Sequence, residues 1–509
     1  MKVIGIIAEY NPFHNGHAYQ IAEIRKRTGA DYIVVAMSGD FVQRGTPAII
    51  DKYTRTNMAL SCGADLILEL PTLWATASAE DFAMAGVTLF DKMGCVDGIC
   101  FGAETDNLDL LSSLADILAN EPEDYRELLS SYIKEGLTFP AARAKALVNH
   151  LTASSRADEL CKADAQISTE AISSIINEPN NILAIEYLKA LKRRHSSLKP
   201  YLIKREGAGY HDATIYDNMT ALDSTQAQDS TQAPDFTQAQ DFAQVPTASA
   251  TAIRKLLLPT QEGNAQTSCS EGNAQTSYSE GNAQTSCSKS NAQTSCAEDS
   301  NTATLQDKAL PDLSTAMPDA ARHLLSNYLQ KSPALCAEDF SQILGYQLLT
   351  VTPDILAKIS GCNTDIANRL YRNRQTFYSY ERFVEQNKSK DVTYTRVSRI
   401  LIHLLLGISQ EKEAIGKAND YIPYLRILGF RKTSGVLAAL KQNASVPIIS
   451  KLADAKNRLP AQALSMLEDD IFAADLYEQI KYQRQQQNPS TYQDTAAAQN
   501  EYTRGLVLL

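Results

Sequence analysis

Two histidines three residues apart, His14 and His17, sit in Glu9-Tyr-Asn-Pro-Phe-His-Asn-Gly-His17, directly after the apolar run Val3–Ala8. A strand followed by a Gly-containing turn and a helix is a place where phosphate is held. Gly16 permits a close backbone turn, and a helix beginning there offers free N–H groups and the positive end of its dipole. His14 and His17 are then donors aimed at phosphate oxygens. Pre-set donors of that kind stabilise the charge that develops on an α-phosphate during adenylyl transfer. Taken alone, two histidines at this spacing also fit a turn and a helix cap. The strand before and the helix after favour the phosphate site.

A second set of polar residues has matching chemistry. Thr247-Ala-Ser249-Ala-Thr251-Ala-Ile-Arg254 places hydroxyls and a guanidinium at the start of a helix, suited to clamp β- and γ-phosphates. The segment lies between two polar repeats, and Ile253, Leu256, Leu257 and Leu258 restore apolar character only there. That local return of a buried face argues against reading it as part of the repeats.

These residues need a scaffold, and the first 222 residues supply its pattern. Apolar runs at Val3–Ala8, Tyr32–Met37, Asp65–Leu70, Gly98–Phe101 and Leu198–Ile203 read as strands. They are separated by helical spacing at Gly16–Thr28, Lys52–Cys62, Ala79–Lys92, much of 106–176, and Asn181–Arg194. Continuous apolar strands between amphipathic helices predict a parallel sheet covered on both faces. From residue 223 the composition changes. A six-residue unit beginning Asp223-Ser-Thr-Gln-Ala-Gln fills most of 223–245, and a nine-residue unit, Glu-Gly-Asn-Ala-Gln-Thr-Ser-Cys-Ser, recurs within 259–318. Neither unit has the apolar content to bury a face, so both read as disordered insertions. Residues 246–258 return to the first domain. Residues 319–482 carry helical spacing, including Phe340–Leu349, Ile366–Arg372, Thr395–Leu406, Ile422–Leu428 and Ser434–Gln442, and 483–509 read as a polar tail.

Composition narrows the class. With 509 residues the chain exceeds one ordinary domain, 44% hydrophobic residues allow sizeable cores, and a net charge of −11 excludes a uniformly basic protein. A local basic face can still meet RNA. Nine cysteines without CxxC spacing, three of them (Cys269, Cys287, Cys296) in the repeats, point to reduced thiols and a cytoplasmic protein. No stretch approaches the roughly 18 apolar residues of a membrane span, and no secretory leader is expected from Met1–Ile7.

The two phosphate segments together resemble the HIGH-superfamily nucleotidyltransferases, which pair a His-x-Gly-His motif with a late Ser/Thr-x-x-Arg motif. More closely, the chain resembles the tRNA(Met) cytidine acetate ligase family. The resemblance runs through Gly5–His17, Met37-Ser-Gly-Asp-Phe-Val-Gln-Arg-Gly45, Gly63–Pro71, Phe101-Gly-Ala-Glu104, Glu178–Tyr187, Lys204–Asp212, Ala248–Arg254, Tyr394–Gly407 and Arg426–Phe430. It implies a Rossmann-like nucleotidyltransferase domain with an α-helical C-terminal domain that helps bind tRNA. It implies activation of acetate by ATP to acetyl-adenylate, then acetylation of N4 of the wobble cytidine of elongator tRNA(Met), with Mg²⁺ accompanying ATP and no metal held by the protein itself. The adenylate must be shielded from water, which predicts a closed pocket near His14 and Gly102. By the same resemblance ATP is held by Ile7, Ala8, Glu9, Tyr10, Asn11, Pro12, Phe13, His14, Asn15, Gly16, His17, Ala18, Tyr19 and Gln20, with Gly102, Asn181 and Arg205; Ser249 and Thr251 join Arg254. Catalysis falls to His14, His17 and Arg254. The doublet leaves Asn180 and Asn181 as alternatives.

Four further groups carry two readings each. Asp40 is either a turn residue or a carboxylate facing Mg²⁺. Arg44 suits an anion. Glu9 and Glu104, at strand ends, either orient a substrate or a metal-bound water or cap a helix, and neither is assigned as a catalytic base. Two basic zones suit RNA: Lys189, Lys192, Arg193, Arg194, Lys199, Lys204 and Arg205, and then Arg369, Arg372, Arg374, Arg382, Lys388, Lys390, Arg396 and Arg399 with Tyr371, Phe377, Tyr378 and Tyr380 interleaved. The rivals are an adenylyltransferase for a small cofactor precursor, and a non-catalytic RNA-binding protein with a relic ATP site.

Overall fold

The computed structural model describes residues 1–137, 139–153, 169–205, 249–258, 312–487, 492 and 500–509. Both repeat blocks, the expected disorder of 223–245 and 259–311, Cys269, Cys287, Cys296 and the Glu206–Ala248 stretch lie outside the described residues.

A central sheet organises the chain. Its strands are β1 (Val3–Ala8), β2 (Tyr32–Ser38), β5 (Leu66–Leu70), β6 (Gly98–Ala103), β7 (Lys199–Lys204), β8 (Leu425–Phe430), β9 (Ile448–Ile449) and β10 (Val507–Leu508). The order is β10-β8-β5-β2-β1-β6-β7, with β9 also on β8. A two-residue ribbon, β3 (Phe41–Val42) and β4 (Thr46–Pro47), stands beside it. β1 pairs in parallel with β2 (Ile4 opposite Ile33) and with β6 (Ile4 opposite Gly98). The central strands are buried along nearly their whole length, which explains their unbroken apolar runs. Helices α1 (Asn15–Thr28) and α2 (Lys52–Ser61) bury Ile21, Ile24, Met58 and Leu60 with one face of the sheet. Helices α3 (Ala79–Met93), α4 (Leu108–Asn120) and α5 (Pro179–Arg193) bury Phe90, Leu114 and Leu188 with the other. The expected parallel α/β pattern is present.

The C-terminal part differs from the expectation in three places. Ile422–Leu428, expected as helix, contains the start of β8, which pairs antiparallel with β5. Ile422, Leu425 and Leu428 recur every three residues, yet a run this short fits either element, and here the open edge of β5 decides the outcome. The segment assigned to a polar tail is structured at both described ends. A helix runs from Ala461 to Gln486, and Glu501 is buried while Val507–Leu508 extends the sheet. Residues 312–318, assigned to the second insertion, bury Leu313, Ala316 and Met317 against α1 and α2. The sheet therefore crosses the boundary drawn at residue 319, and only the remaining C-terminal elements are mainly helical.

That second half also reaches back to the first. Tyr380 and Ser398 both donate to the carbonyl of Gly45 at 2.8 Å. Gly45 has φ +73°, and a Cβ there would meet the Arg399 nitrogen. Only glycine fits this turn, and the turn fixes Arg44.

Candidate active site

β1 and β6 lie side by side at the centre, and the chain leaves each at its carboxyl end. In an open parallel sheet ligands collect in that crevice. A cleft lined by the loop after β1, the end of β6 and the segment 249–254 opens there and communicates with solvent, where the need to shield an adenylate predicts a closed pocket.

The loop after β1 builds one wall. Tyr10 adopts a left-handed φ of +47°, and His14 is the N-cap of α1. The backbone N–H of Gly16 donates to Nδ1 of His14 at 3.1 Å, and that of His14 donates to Nδ1 of His17 at 3.2 Å. The two rings stack with centroids 3.8 Å apart. A backbone N–H can only donate, so each Nδ1 must be the bare nitrogen and each proton sits on Nε2. Burial is the main reason both histidines stay neutral. It lowers His14 to about 3, with Arg205 and Arg254 adding to the effect, and lowers His17 well below the ordinary range, with His14 and Arg205 adding. Both line the cleft as neutral N–H donors.

The first turn of α1 is not open to phosphate as expected. Asn15 N–H donates to Ala316 O at 3.0 Å, Gly16 N–H to His14, and those of His17 and Ala18 to His14 O. The returning segment 312–317 and the capping box occupy the amides. The helix contributes its dipole, and side chains must make the contacts.

The opposite wall comes from helix α6 (Ala250–Leu257). Ser249 caps it, accepting from Ala252 N–H at 3.1 Å. Arg254 donates from Nη1 to Asn11 O at 2.7 Å and from Nη2 to Thr251 Oγ1 at 3.0 Å, so the late motif is stapled to the early one across 243 residues of chain. Burial lowers Arg254 to about 10, reinforced by Arg44 and opposed by Glu9. A guanidinium held this dry beside another cation is short of negative charge, as a phosphate site should be.

Of the residues expected to hold ATP, Ile7, Ala8, Glu9, Tyr10, Asn11, His14, His17, Gln20, Gly102, Arg205, Ser249 and Thr251 line the cleft, as does Arg254. Pro12, Phe13, Asn15, Gly16, Ala18 and Tyr19 are not part of its lining. Phe13 is in the core, and the Asn15 side chain donates to Thr315 O. Gly16 matters through space: a Cβ would lie 2.9 Å from the His14 ring. Gly102 lets Arg205 pass close, since a Cβ would lie 3.2 Å from its Cγ.

The asparagine doublet divides. Asn181 is fully buried, accepting from the N–H groups of Glu104 and Thr105 and donating to Glu178, whereas Asn180 lines the cleft beside Arg205. Asn181 thus shapes the loop, and Asn180 is the one placed to meet a ligand. Successive residues on a helix point about 100° apart, which sequence identity alone does not orient. Glu104 accepts from Asn180 and from Asn181 N–H, so it caps α5. Asp40 is buried away from the cleft, accepting from Lys52 N–H at 2.8 Å, which is the turn reading. Burial raises its carboxyl to about 6, opposed by Lys52 and Arg55. Arg44 does line the cleft.

Residues not singled out add to the lining. Phe82, Phe101, Leu183 and Tyr187 form an apolar side, with the Phe101 and Tyr187 rings 5.5 Å apart. Phe101, Leu183 and Tyr187 fall in segments that carry the family resemblance, whereas Phe82 had only its membership of an apolar helix face as a signal.

Five of the seven residues of the first basic zone are held in ion pairs, and a sixth, Arg205, lines the cleft. Lys189 pairs with Glu186, Lys192 with Asp116, Arg193 with Glu80, Arg194 with Asp91 and Asp420, and Lys204 with Asp106. The acids come largely from other elements, invisible in the local run. In the second zone, Tyr380 is core and Phe377 packs on Phe383, but Tyr378 is 80% exposed with Arg382 above its ring.

The neutral histidines carry a pH consequence. Below pH 6.5 the unfolded chain takes up protons that the folded loop refuses. Stability should therefore fall as pH drops below about 6.5, down to about 3 for the His14 contribution, by up to about 1.4 kcal/mol per pH unit for each histidine. Melting curves at pH 7 and 5 should differ less in a His14→Asn variant; an unchanged difference would refute this origin.

A model of the HIGH nucleotidyl transferase family matches residues 1–233 and 232–493. A tRNA(Met) cytidine acetate ligase from Clostridium perfringens is 33% identical over 478 residues, covering 94% of this chain and 95% of that protein. Another from Thermoanaerobacter is 34% identical over 479 residues, with the same coverage. The fold is shared with a crystal structure of Thermotoga maritima TmcAL bound with alpha-thio ATP, at a TM-score of 0.73, 23% identity, and 100% and 99% coverage of the two chains.

Proposed function

The chain belongs to the tRNA(Met) cytidine acetate ligase family of HIGH nucleotidyltransferases, and from that premise we propose how its cleft performs the family's reaction. The protein is a ligase that activates acetate with ATP and acetylates N4 of the wobble cytidine of elongator tRNA(Met). The observation that carries the ATP half is the pair of buried, neutral histidines facing three arginines, Arg44, Arg205 and Arg254, across one cleft.

An acetate oxygen attacks the α-phosphorus, and pyrophosphate leaves. Nε2–H of His14 and of His17 stabilise the α-phosphate oxygens as charge builds, while Arg254 with Ser249 and Thr251 holds the departing phosphates. Because the histidines are neutral, they donate without having to lose solvation first. Among the described residues Glu9 is the one carboxylate lining the cleft, and no cluster of metal-binding side chains occurs there. Mg²⁺ is expected to travel on the triphosphate.

We propose that RNA is met by the C-terminal surface around Arg372, Arg374, Arg382 and Tyr378. An exposed ring beside guanidiniums suits an unstacked base. Tyr378→Ala should weaken tRNA binding by about 1–3 kcal/mol, measured by filter binding, with ATP-dependent pyrophosphate release unchanged. Equal affinity would move the RNA surface elsewhere. No helix among the described residues is long and apolar enough to cross a membrane.

The deciding assay mixes the protein with ATP, radiolabelled acetate and tRNA. Label in tRNA(Met) only when ATP is present is the expected result. Pyrophosphate release without labelled tRNA would favour a small-molecule adenylyltransferase, and silence in both would favour a relic site.

A further inference from the structure

Adenylation needs donors, but the second half-reaction needs an acceptor. When the cytidine amine attacks the acetyl carbonyl, its nitrogen becomes positively charged and must give up a proton. The histidines that serve the first step cannot take it. Each Nδ1 already accepts a backbone N–H, and each Nε2 carries its own proton. Arg44, Arg205 and Arg254 are cations. The hydroxyls of Tyr10 and Tyr187 remain protonated, since burial pushes both well above the ordinary range.

Glu9 remains. It lies one residue beyond β1, and it is the only carboxylate lining the cleft among the described residues. It is also held still. Gln43 N–H donates to Oε1 at 3.0 Å, and the fully buried Arg55 donates to the Glu9 carbonyl at 2.7 Å. Arg55 makes further bonds to the carbonyls of Ser38, Gly39 and Ile50, tying three segments to this one residue. The carboxylate therefore projects from an anchored main chain with one oxygen fixed, as a proton acceptor in a pre-set geometry should.

We propose that Glu9 is the general base of the acetyl-transfer step, a role that rests on the ligase reading above. The N4 lone pair forms the new bond to the acetyl carbon, and the carbonyl π pair moves onto oxygen. Glu9 takes the proton from N4. As the carbonyl re-forms, the bond to the phosphate oxygen breaks and its electron pair leaves with AMP. Glu9 then passes the proton to solvent. An ordinary carboxylate is strong enough, because a protonated amide-type nitrogen in the addition intermediate is a strong acid.

The alternative is that Glu9 only balances Arg44 and Arg254, whose charges it offsets. The two roles separate in single-turnover kinetics. Acetyl-adenylate formation is timed without tRNA, and transfer is timed after tRNA is added to the preformed enzyme-bound adenylate. In Glu9→Gln the ratio of transfer rate to adenylation rate should fall by at least about 100-fold. Glu9→Asp, which keeps the charge but withdraws the oxygens, should show the same selective fall and covers the case in which Glu9→Gln does not fold. A ratio equal to wild type, whether both rates drop together or neither does, overturns the assignment in favour of charge balance. Wild-type protein that forms adenylate but never acetylates tRNA would instead overturn the ligase reading, and with it this one.

Discussion

Replacing His17 by alanine should lower acetate-dependent pyrophosphate release by about 10²–10³-fold, the usual effect of deleting one pre-set donor to a developing oxyanion. Two losses combine. The Nε2–H is gone from the cleft, and the His14 N–H loses its acceptor at 3.2 Å, along with the ring stacked on His14. His14→Ala should be nearly as damaging, and the double variant little worse than either, because groups that act as one unit are not additive. The tRNA surface proposed above lies on the other half of the chain, so filter binding of tRNA to His17→Ala should match wild type. Normal pyrophosphate release from this variant would remove His17 from the mechanism. Lost tRNA binding would show that the damage had spread beyond the loop.

The largest stability effect is expected behind the cleft, where Lys52→Met should destabilise the fold by about 3–5 kcal/mol. Lys52 is 1% exposed and lies 2.8 Å from Glu69 and 2.6 Å from Glu501, with Asp40 at 3.7 Å. Arg426 pairs with Glu69 at 2.8 Å and also with Glu501; the contact with Glu69 is ionic without hydrogen-bond alignment. With Arg55, three cations face three carboxylates in a dry core. Removing one cation leaves an unmatched buried carboxylate, and that uncompensated charge is the cost. Nearby cations hold Glu501 down to about 2 despite its burial. Its contribution is therefore present above its ordinary carboxylate range and lost as pH falls towards 2. Chemical denaturation at pH 7 gives the number. A Lys52→Met protein within about 1 kcal/mol of wild type would mean that methionine's apolar packing offsets the loss, as hydrophobic replacement of whole ion clusters can.

Much of this was legible in the residues. Strands buried on both faces must be apolar throughout, so Val3–Ala8, Tyr32–Met37 and Asp65–Leu70 announced a parallel sheet. The two phosphate motifs announced each other through chemistry alone, and the structure joins them by Arg254 and the Asn11 carbonyl. What failed shares one cause: it depended on partners distant in the chain. Ile422–Leu428 becomes a strand because β5 offers an edge. In the basic run from Lys189, the residues Lys192, Arg193 and Arg194 are paired with Asp116, Glu80, Asp91 and Asp420, none of them in the run. The amides of α1 are occupied because residues 312–317 return to them. The polar tail yields Glu501 because Lys52 and Arg426 need it. Asn180 and Asn181 differ only in direction, which their neighbours set.

The antiparallel strand β8 imposes an order of events on synthesis. A chain emerging from the ribosome can assemble β1, β2, β5 and β6 early, yet the outer edge of β5 has no partner until residue 430 has been made, and β8 has none on its upper end until residue 508. For most of translation the nascent protein carries an exposed, apolar strand edge of the kind that recruits neighbouring chains. The same interval passes before Tyr380 and Ser398 can seize the Gly45 carbonyl and bring Arg44 into place. The lining of the nucleotide cleft is made by residue 254, yet Arg44 waits on Tyr380 and Ser398, so products truncated before residue 398 should be inactive and adhesive rather than partly functional.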